Sequence, residues 1–519
     1  MSEPTQPGRT ATRRLALVVL LLPSLVGIAL VLVGTSRGVG VSPDSVYFIS
    51  GARNLLDGHG LSQFPDAEGR YAPIVSWPPL YPLMLAAVAA TGLDVLAAAR
   101  WLSAVLFGAT ILVVGLMVKR LAAPGWLVFV ATLSVAAAVD MVKVHGMAWS
   151  EPPCIFFGLL GLLLLDLHLE RPRRLLLAAA AASLACAFLT RYAGLAYVAI
   201  GALALGVRRE RRLSARLADL ARFSAVAGLL MAAALVRNVY VGGSAAARGI
   251  AFRPALVPGQ LRDGLNTAAV WFLPQVIGET FRAVLLGVLV AGGVGWHVWL
   301  RRRAGALGLA QAARPASLLP VMLATFIVGY LVLMVVSIAV IIPMPILDYR
   351  NLAPVVPAAV MLASWLVARE MRSARRVRFV RLACVIVCCV FVAVYSVRAV
   401  KLVATLKRTG KGFRRDEWVH SEVAQHVRDL AADRPIYSNS PDAVYFLAGR
   451  GASFVPRDRV SEAELSAFRA RLEETQGVVV YFHSGRRQGY VTSADLVERL
   501  HLNVLVQASD GVIYEVARE

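Results

Sequence analysis

An aspartate standing just beyond the first long apolar run is the place in this sequence where chemistry is easiest to imagine. Asp44 follows Ser42 and Pro43, a pair that reads as a turn or a helix start. Apolar residues then recur at 46, 48, 49, 52, 55 and 56, the spacing of an amphipathic helix, and Gly58 stops it. One reading makes Asp44 the helix N-cap. The other makes it an ionised base able to deprotonate a hydroxyl. A reaction with an anionic leaving group would also need cations. Arg191, Arg237 and Arg350 each stand at the end of an apolar run, and a guanidinium fork suits a phosphate. Charges at a membrane rim are functional candidates. Their structural alternative is snorkelling, or an ion pair such as Arg350 with Asp348.

Metal chemistry has little support. His59, His145 and His483 do not fall into any ligand spacing, and no HExxH, paired-cysteine or nucleotide-phosphate loop is present. Asp66-Ala67-Glu68 offers two carboxylates to a divalent ion, but from a Pro/Gly-rich loop. No cofactor is expected, and a divalent metal is left open.

The elements that must hold these residues are membrane helices. Hydrophobic residues make up 58% of the chain and the mean hydropathy is +0.65, high for a soluble globular protein. Apolar runs occur at 15–34, 77–91, 97–118, 124–140, 151–169, 175–189, 191–206, 221–236, 281–300, 318–342, 352–368 and 379–400. Arg9, Arg13 and Arg14 precede the first run, which is long and lacks a small-x-small cleavage site, so it reads as an uncleaved first span. From Lys411 onward there are 14 Lys/Arg against 16 Asp/Glu; of the chain's 54 and 32 this leaves 40 against 16 before it. The basic excess sits in short loops, as the cytoplasmic charge bias of membrane proteins requires, and does not point to nucleic acid. All five cysteines lie in apolar runs, which argues against a disulfide framework.

Sidedness follows from the same bias. If every run crossed from an inside N-terminus, the basic clusters at 119–120, 171–174, 208–212, 301–303 and 372–381 would all fall outside. Removing one early crossing brings all of them inside. The segment to remove is 77–91: it is short, opens with Trp77-Pro78-Pro79-Leu80-Tyr81-Pro82, and carries aromatics suited to an interface. The expected fold is therefore an α-helical polytopic bundle of about eleven transmembrane helices, with juxtamembrane helices on the outer surface. Gly92 and Asp94 are expected outside and Gly206 inside. The loops 35–99, 140–151, 190–192, 237–280 and 343–350 are expected outside, as is everything after Val400. The division is 1–410 for the membrane domain, with 35–99 as its outer catalytic loop, and 411–519 for a small α/β domain. In the latter, 435–439 and 477–482 read as buried strands, 417–430 and 494–500 as helices, and Ser509-Asp510-Gly511 as a hairpin turn. The chain shows no internal repeat and no low-complexity tract.

This arrangement resembles the polytopic glycosyltransferases of the C-type fold, specifically the bacterial branch with the protein O-mannosyltransferases and lipid-A aminoarabinose transferases. Asp44 matches the family's catalytic Asp after the first span. Trp77-Pro78-Pro79-Leu80-Tyr81-Pro82 matches a Pro-Pro motif, often His-Pro-Pro, that opens the second surface helix. Glu151, in Trp149-Ser150-Glu151-Pro152, matches a second acidic position. Asp348-Tyr349-Arg350-Asn351-Leu352-Ala353-Pro354 is similar to an Arg-Tyr element before a late span, and 436–450 resembles tails of bacterial relatives. Two positions depart from the pattern: Ser45 stands where many relatives have Glu, and Trp77 where they have His. The resemblance implies a cell-membrane enzyme that moves a sugar from a polyprenyl-phosphate donor in the bilayer to an extracytoplasmic hydroxyl on an unspecified glycan, lipid or protein. Asp44 would be the base, Glu151 would assist or orient, and Arg350, Arg191 and Arg237 would meet the donor phosphate. The rival class is a transporter or flippase of a lipid-linked sugar. Transporters place polar groups near the midplane, often within repeats, whereas here the candidates gather at one rim.

Overall fold

A computed structural model describes residues 7–208, 211–273, 278–285, 287–288, 291–292, 295, 317–373, 378–458, 460–484 and 490–517. Helices form where the apolar runs lie. In chain order they are α1 (Pro7–Gly34), α2 (Pro43–Leu56), α3 (Leu80–Ala89), α4 (Val95–Arg120), α5 (Gly125–Ala136), α6 (Val139–His145), α7 (Glu151–Glu170), α8 (Arg174–Thr190), α9 (Leu195–Val207), α10 (Leu213–Gly242), α11 (Val257–Phe272), α12 (Leu319–Val340), α13 (Tyr349–Leu352), α14 (Val355–Ser373) and α15 (Arg378–Thr409). Among the described residues six helices, in α1, α4, α7, α10, α12 and α15, are long and apolar enough to cross a membrane, and the bent pair α5–α6 makes a seventh. The chain is a polytopic helical membrane protein. The expected crossings at 175–189 and 191–206 are α8 and α9, which are shorter, and that at 352–368 lies in α14. The 281–300 crossing lies largely outside the described residues, as do the basic cluster 301–303 and parts of those at 208–212 and 372–381.

Two expectations need correction. The run at 124–140 is not one straight helix: it breaks after Ala136 and turns by 54° into α6. The turn gives the polar residues of α6 partners. Asp140 accepts from the Trp271 indole N–H at 2.7 Å and lies 3.6 Å from Lys143. In the tail, 417–430 is two helices, Asp416–Val419 and Glu422–Asp429, because Ser421 starts a new one by capping the Ala424 N–H.

Segment 77–91 forms the ten-residue α3. At 1.5 Å per residue that is about 15 Å, half the hydrocarbon thickness of a bilayer. It packs on α2 and α4, with Tyr81 fully buried edge-on to Phe48 at 5.2 Å and Trp77 stacked on Tyr47 at 4.6 Å.

The tail holds a five-stranded sheet. Its strands are β3 (Ile436–Ser438), β4 (Ser453–Phe454), β5 (Val478–Phe482), β6 (Leu502–Gln507) and β7 (Gly511–Val516), in spatial order β4-β3-β5-β7-β6. An earlier two-stranded ribbon, β1 (Gly249–Ile250) with β2 (Ile341–Ile342), ties the α10–α11 loop to the end of α12. β5 is buried along its whole length, and β6–β7 form the hairpin expected over 509–511. One apolar cluster runs from α2 and α3 through Phe413 and Trp418 into this sheet, so the 35–99 loop and the tail share a core.

Backbone hydrogen bonds reinforce that joint. Gly40 N–H donates to Gly146 O and Ala148 N–H to Gly40 O, both at 2.9 Å; Phe413 N–H donates to Val41 O at 2.8 Å. Gly412 closes the junction with φ +60°, where an added Cβ would lie 1.9 Å from Val41 O. Three segments far apart in sequence are thus laced together immediately before Asp44, before Glu151 and after α15.

The topology is testable at the α3–α4 turn. Gly92 has φ +99°, so the neighbouring exposed Leu93 is the better probe. In a background lacking the five native cysteines, Leu93→Cys is expected to react with a membrane-impermeant thiol reagent in intact cells, and Gly206→Cys to stay protected. The reverse pattern would invert the map.

Candidate functional site

The start of α2 removes one of the two readings of Asp44. Ser42, not Asp44, is the N-cap: its hydroxyl accepts from the Ser45 N–H, and the Ser45 hydroxyl accepts from the Ser42 N–H at 3.0 Å. Asp44, in the first turn, leaves its carboxylate free of capping, and Oδ2 accepts from Arg350 Nη1 at 2.6 Å. The side chain remains 34% exposed, enough to meet a substrate.

Glu151 opens α7 and is fully buried. Its Oε1 accepts from both Arg350 Nε and Arg191 Nη1, while Oε2 is buried without a hydrogen-bond partner among the described residues. A lone carboxylate there would carry a desolvation cost of several kcal/mol; two guanidiniums offset it. Glu151 thus pairs with two guanidiniums and is not among the residues that line the neighbouring cavity. Arg191 completes its fork on Asn351 Oδ1 at 2.7 Å.

Arg350 is delivered by α13, a single turn. Asp348 caps it, accepting from the Arg350 N–H at 3.1 Å and the Asn351 N–H at 3.0 Å, and Tyr330 OH donates to Asn351 O at 2.7 Å. Burial pushes the Asp348 carboxyl up, against the pull of these N–H groups and Arg350. The expected alternative, Arg350 paired with Asp348, gives way to the bridge between Asp44 and Glu151. Trp149 backs the bridge: its ring centroid lies 4.2 Å from the Arg350 guanidinium carbon, and its indole N–H donates to the Ser42 hydroxyl at 2.7 Å.

Asp44, Arg191 and Arg350 face a cavity of about 550 Å³, together with Trp77 and Pro78. Its apolar lining includes Phe188, Leu195, Leu333, Met334 and Ile346. Pro79 is the residue before α3 and Tyr81 is buried behind the cavity, so these two position the helices instead.

Arg237 departs from expectation. Its guanidinium donates to Ile74 O at 2.5 Å and Leu61 O at 3.1 Å, anchoring α10 to the 35–99 loop, and it does not line the cavity. A third arginine that does, beside Arg191 and Arg350 on the cavity wall, is Arg248, which sequence spacing did not single out. The β1–β2 ribbon brings it beside the Arg350 turn, where it donates to Ser76 O at 3.1 Å. Burial lowers its pKa, with Asp44 opposing. Among the described residues no carboxylate lies within ion-pair distance of Arg248.

No metal cluster replaces this picture among the described residues. Asp66 and Glu68 both pair with Arg70, at 2.9 and 2.7 Å, and Glu68 also accepts from Tyr437 OH. His59 stacks on Tyr71 and His145 on Phe107.

By sequence no family model and no curated protein matches the chain. By structure, ArnT from Cupriavidus metallidurans, bound to undecaprenyl phosphate, superposes over 95% of this chain and 97% of its own, with a TM-score of 0.57 and 16% identity. The oligosaccharyltransferase AglB from Archaeoglobus fulgidus, in complex with an inhibitory peptide and a dolichol-phosphate, covers 90% of this chain and 69% of its own, with a TM-score of 0.55 and 12% identity. The chain has the C-type glycosyltransferase fold. At these identities the likeness is one of fold.

Removing the buried charge tests the site's scaffold. Glu151→Gln leaves two guanidiniums facing a neutral amide and is expected to destabilise the protein by about 3 kcal/mol, read as earlier thermal unfolding of the detergent-purified protein. Unchanged unfolding would mean that Arg191 and Arg350 do not depend on Glu151.

Proposed function

We propose that this protein is a membrane glycosyltransferase that moves a sugar from a polyprenyl-phosphate donor to an acceptor hydroxyl. The observation that carries the reading is Asp44, uncapped and aligned by Arg350, on the wall of a cavity that is part apolar and also holds Arg248. An apolar lining suits the lipid end of the donor, and an arginine without an acid partner suits its phosphate. The kinship of fold with proteins solved with undecaprenyl phosphate and dolichol-phosphate supports the same donor class.

In this reading Asp44 takes the proton of the acceptor hydroxyl as its oxygen attacks the anomeric carbon. The bond from that carbon to the phosphate oxygen breaks, and the polyprenyl phosphate departs with the electron pair. Arg248 meets the growing negative charge, with Arg350 on the wall of the same cavity. Attack opposite the leaving group inverts the anomeric centre. Arg350 Nη1 keeps Asp44 aimed, and Glu151 and Arg191 keep Arg350 in place. The site faces the extracytoplasmic side on the topology argued from charge.

Asp44→Asn is expected to lower transfer by about 10²- to 10⁴-fold while the protein still inserts and folds, measured with lipid-linked sugar donors and purified protein. Wild-type turnover by the variant would remove Asp44 from the chemistry. Arg248→Ala is expected to weaken donor use by about tenfold or more, as a charge-assisted contact to phosphate implies, with partial recovery in Arg248→Lys. Donor dependence like wild type in both variants would make Arg248 a purely structural tie to Ser76.

A further inference from the structure

The residue that joins α15 to the tail, Lys411, is a partly buried cation with no carboxylate in ion-pair distance among the described residues. It sits between Gly410 and Gly412, in the junction laced to Val41. Its ammonium donates to Lys143 O at 3.0 Å, near the end of α6. It also lies 5.4 Å from the centroid of the Trp149 ring and 5.5 Å from that of Tyr349. These two aromatics touch the site directly. Trp149 carries the Arg350 guanidinium and donates to Ser42, the cap of the helix bearing Asp44. Tyr349 is the residue before Arg350.

We infer that Lys411 is a positioning residue: its charged ammonium holds Trp149 against the tail junction, and through it keeps Arg350 and Asp44 aligned, while Lys143, 4.8 Å from the ring centroid, is the nearer cation on Tyr349. The consequence for transfer rests on the reading of Asp44 and Arg350 as the machinery. The link from Lys411 to Trp149 rests on geometry alone. A cation–π contact exists only while the nitrogen is charged, so the link responds to pH. The groups facing Lys411 are mostly positive: Lys143 on α6, Arg350 on α13 and Arg415 in the tail, with Asp140 on α6 as the opposing acid. Burial first, then Lys143, pushes its ammonium down to about 7. The clamp is therefore complete below neutrality and is released as pH rises through that value.

The test uses the full-length protein in detergent. The emission difference between wild type and Trp149→Phe reports the Trp149 environment and is expected to step near pH 7; with Lys411→Met or Lys411→Arg as the parent, the corresponding difference is expected to show no step. Undecaprenyl phosphate serves as the binding probe. At about pH 6 its affinity is expected to fall about tenfold in Lys411→Met and to be restored in Lys411→Arg, which keeps the charge at every accessible pH. The same emission profile and the same affinity in wild type and Lys411→Met would overturn the proposal. Failure of the donor reading looks different: undecaprenyl phosphate would not bind wild type, while the Lys411-dependent emission step would remain.

Discussion

A carboxylate buried at the start of α7 must find positive charge, and the site is organised around how Glu151 finds it. Its Oε1 draws in Arg191 from the α8–α9 joint and Arg350 from the α12–α14 turn. Neither arginine would otherwise have a reason to turn into the bundle, since a guanidinium loses hydration there. Once Arg350 is pinned by its Nε, the rest of its fork projects toward Asp44 and the cavity. The same interaction thus solves a burial problem and aims the exposed carboxylate. It also separates the surroundings of the two acids: Glu151 is without solvent contact, and Asp44 stands at the cavity wall.

Side-chain charges alone would leave this arrangement loose. The backbone removes the slack. Val41 and Gly40 hydrogen-bond to the segment before Glu151 on one side and to the junction after α15 on the other. Asp44 and Glu151 are each only a few residues beyond those bonds, so their separation is set by peptide geometry more than by flexible side chains. The β1–β2 ribbon does the same for Arg248 and the Arg350 turn. The tail sheet shares its core with α2 and α3, which gives the tail a mechanical connection to the helix bearing Asp44.

Much of this was legible before any coordinates. The apolar runs located the helices because a membrane span needs a long stretch without charge. Pro43-Asp44 and the apolar spacing after it located α2, and the prolines at 78, 79 and 82 marked α3. The errors have physical causes. The break after Ala136 is invisible to hydropathy, because both halves are apolar; it depends on Asp140 meeting Trp271 from a helix more than a hundred residues away. Arg237 ends an apolar run and Arg248 lies in the loop beyond it, and only the folded loop shows that the first reaches backbone carbonyls and the second reaches the cavity.

The sequence by itself determined what depends on local composition and order: a polytopic helical protein with a small α/β tail, a carboxylate after the first span, and arginines at helix ends. These follow from hydrophobic length, helix periodicity and turn residues, which act over a few neighbours. Only the tertiary structure decided which charges pair and which face the cavity. That choice is made by Coulomb attraction and desolvation over a few ångströms between residues as distant as Asp44 and Arg350, and chain order carries no measure of that distance. It assigned the cap to Ser42, the buried scaffold to Glu151, the anchor to Arg237 and the open cavity to Asp44 and Arg248.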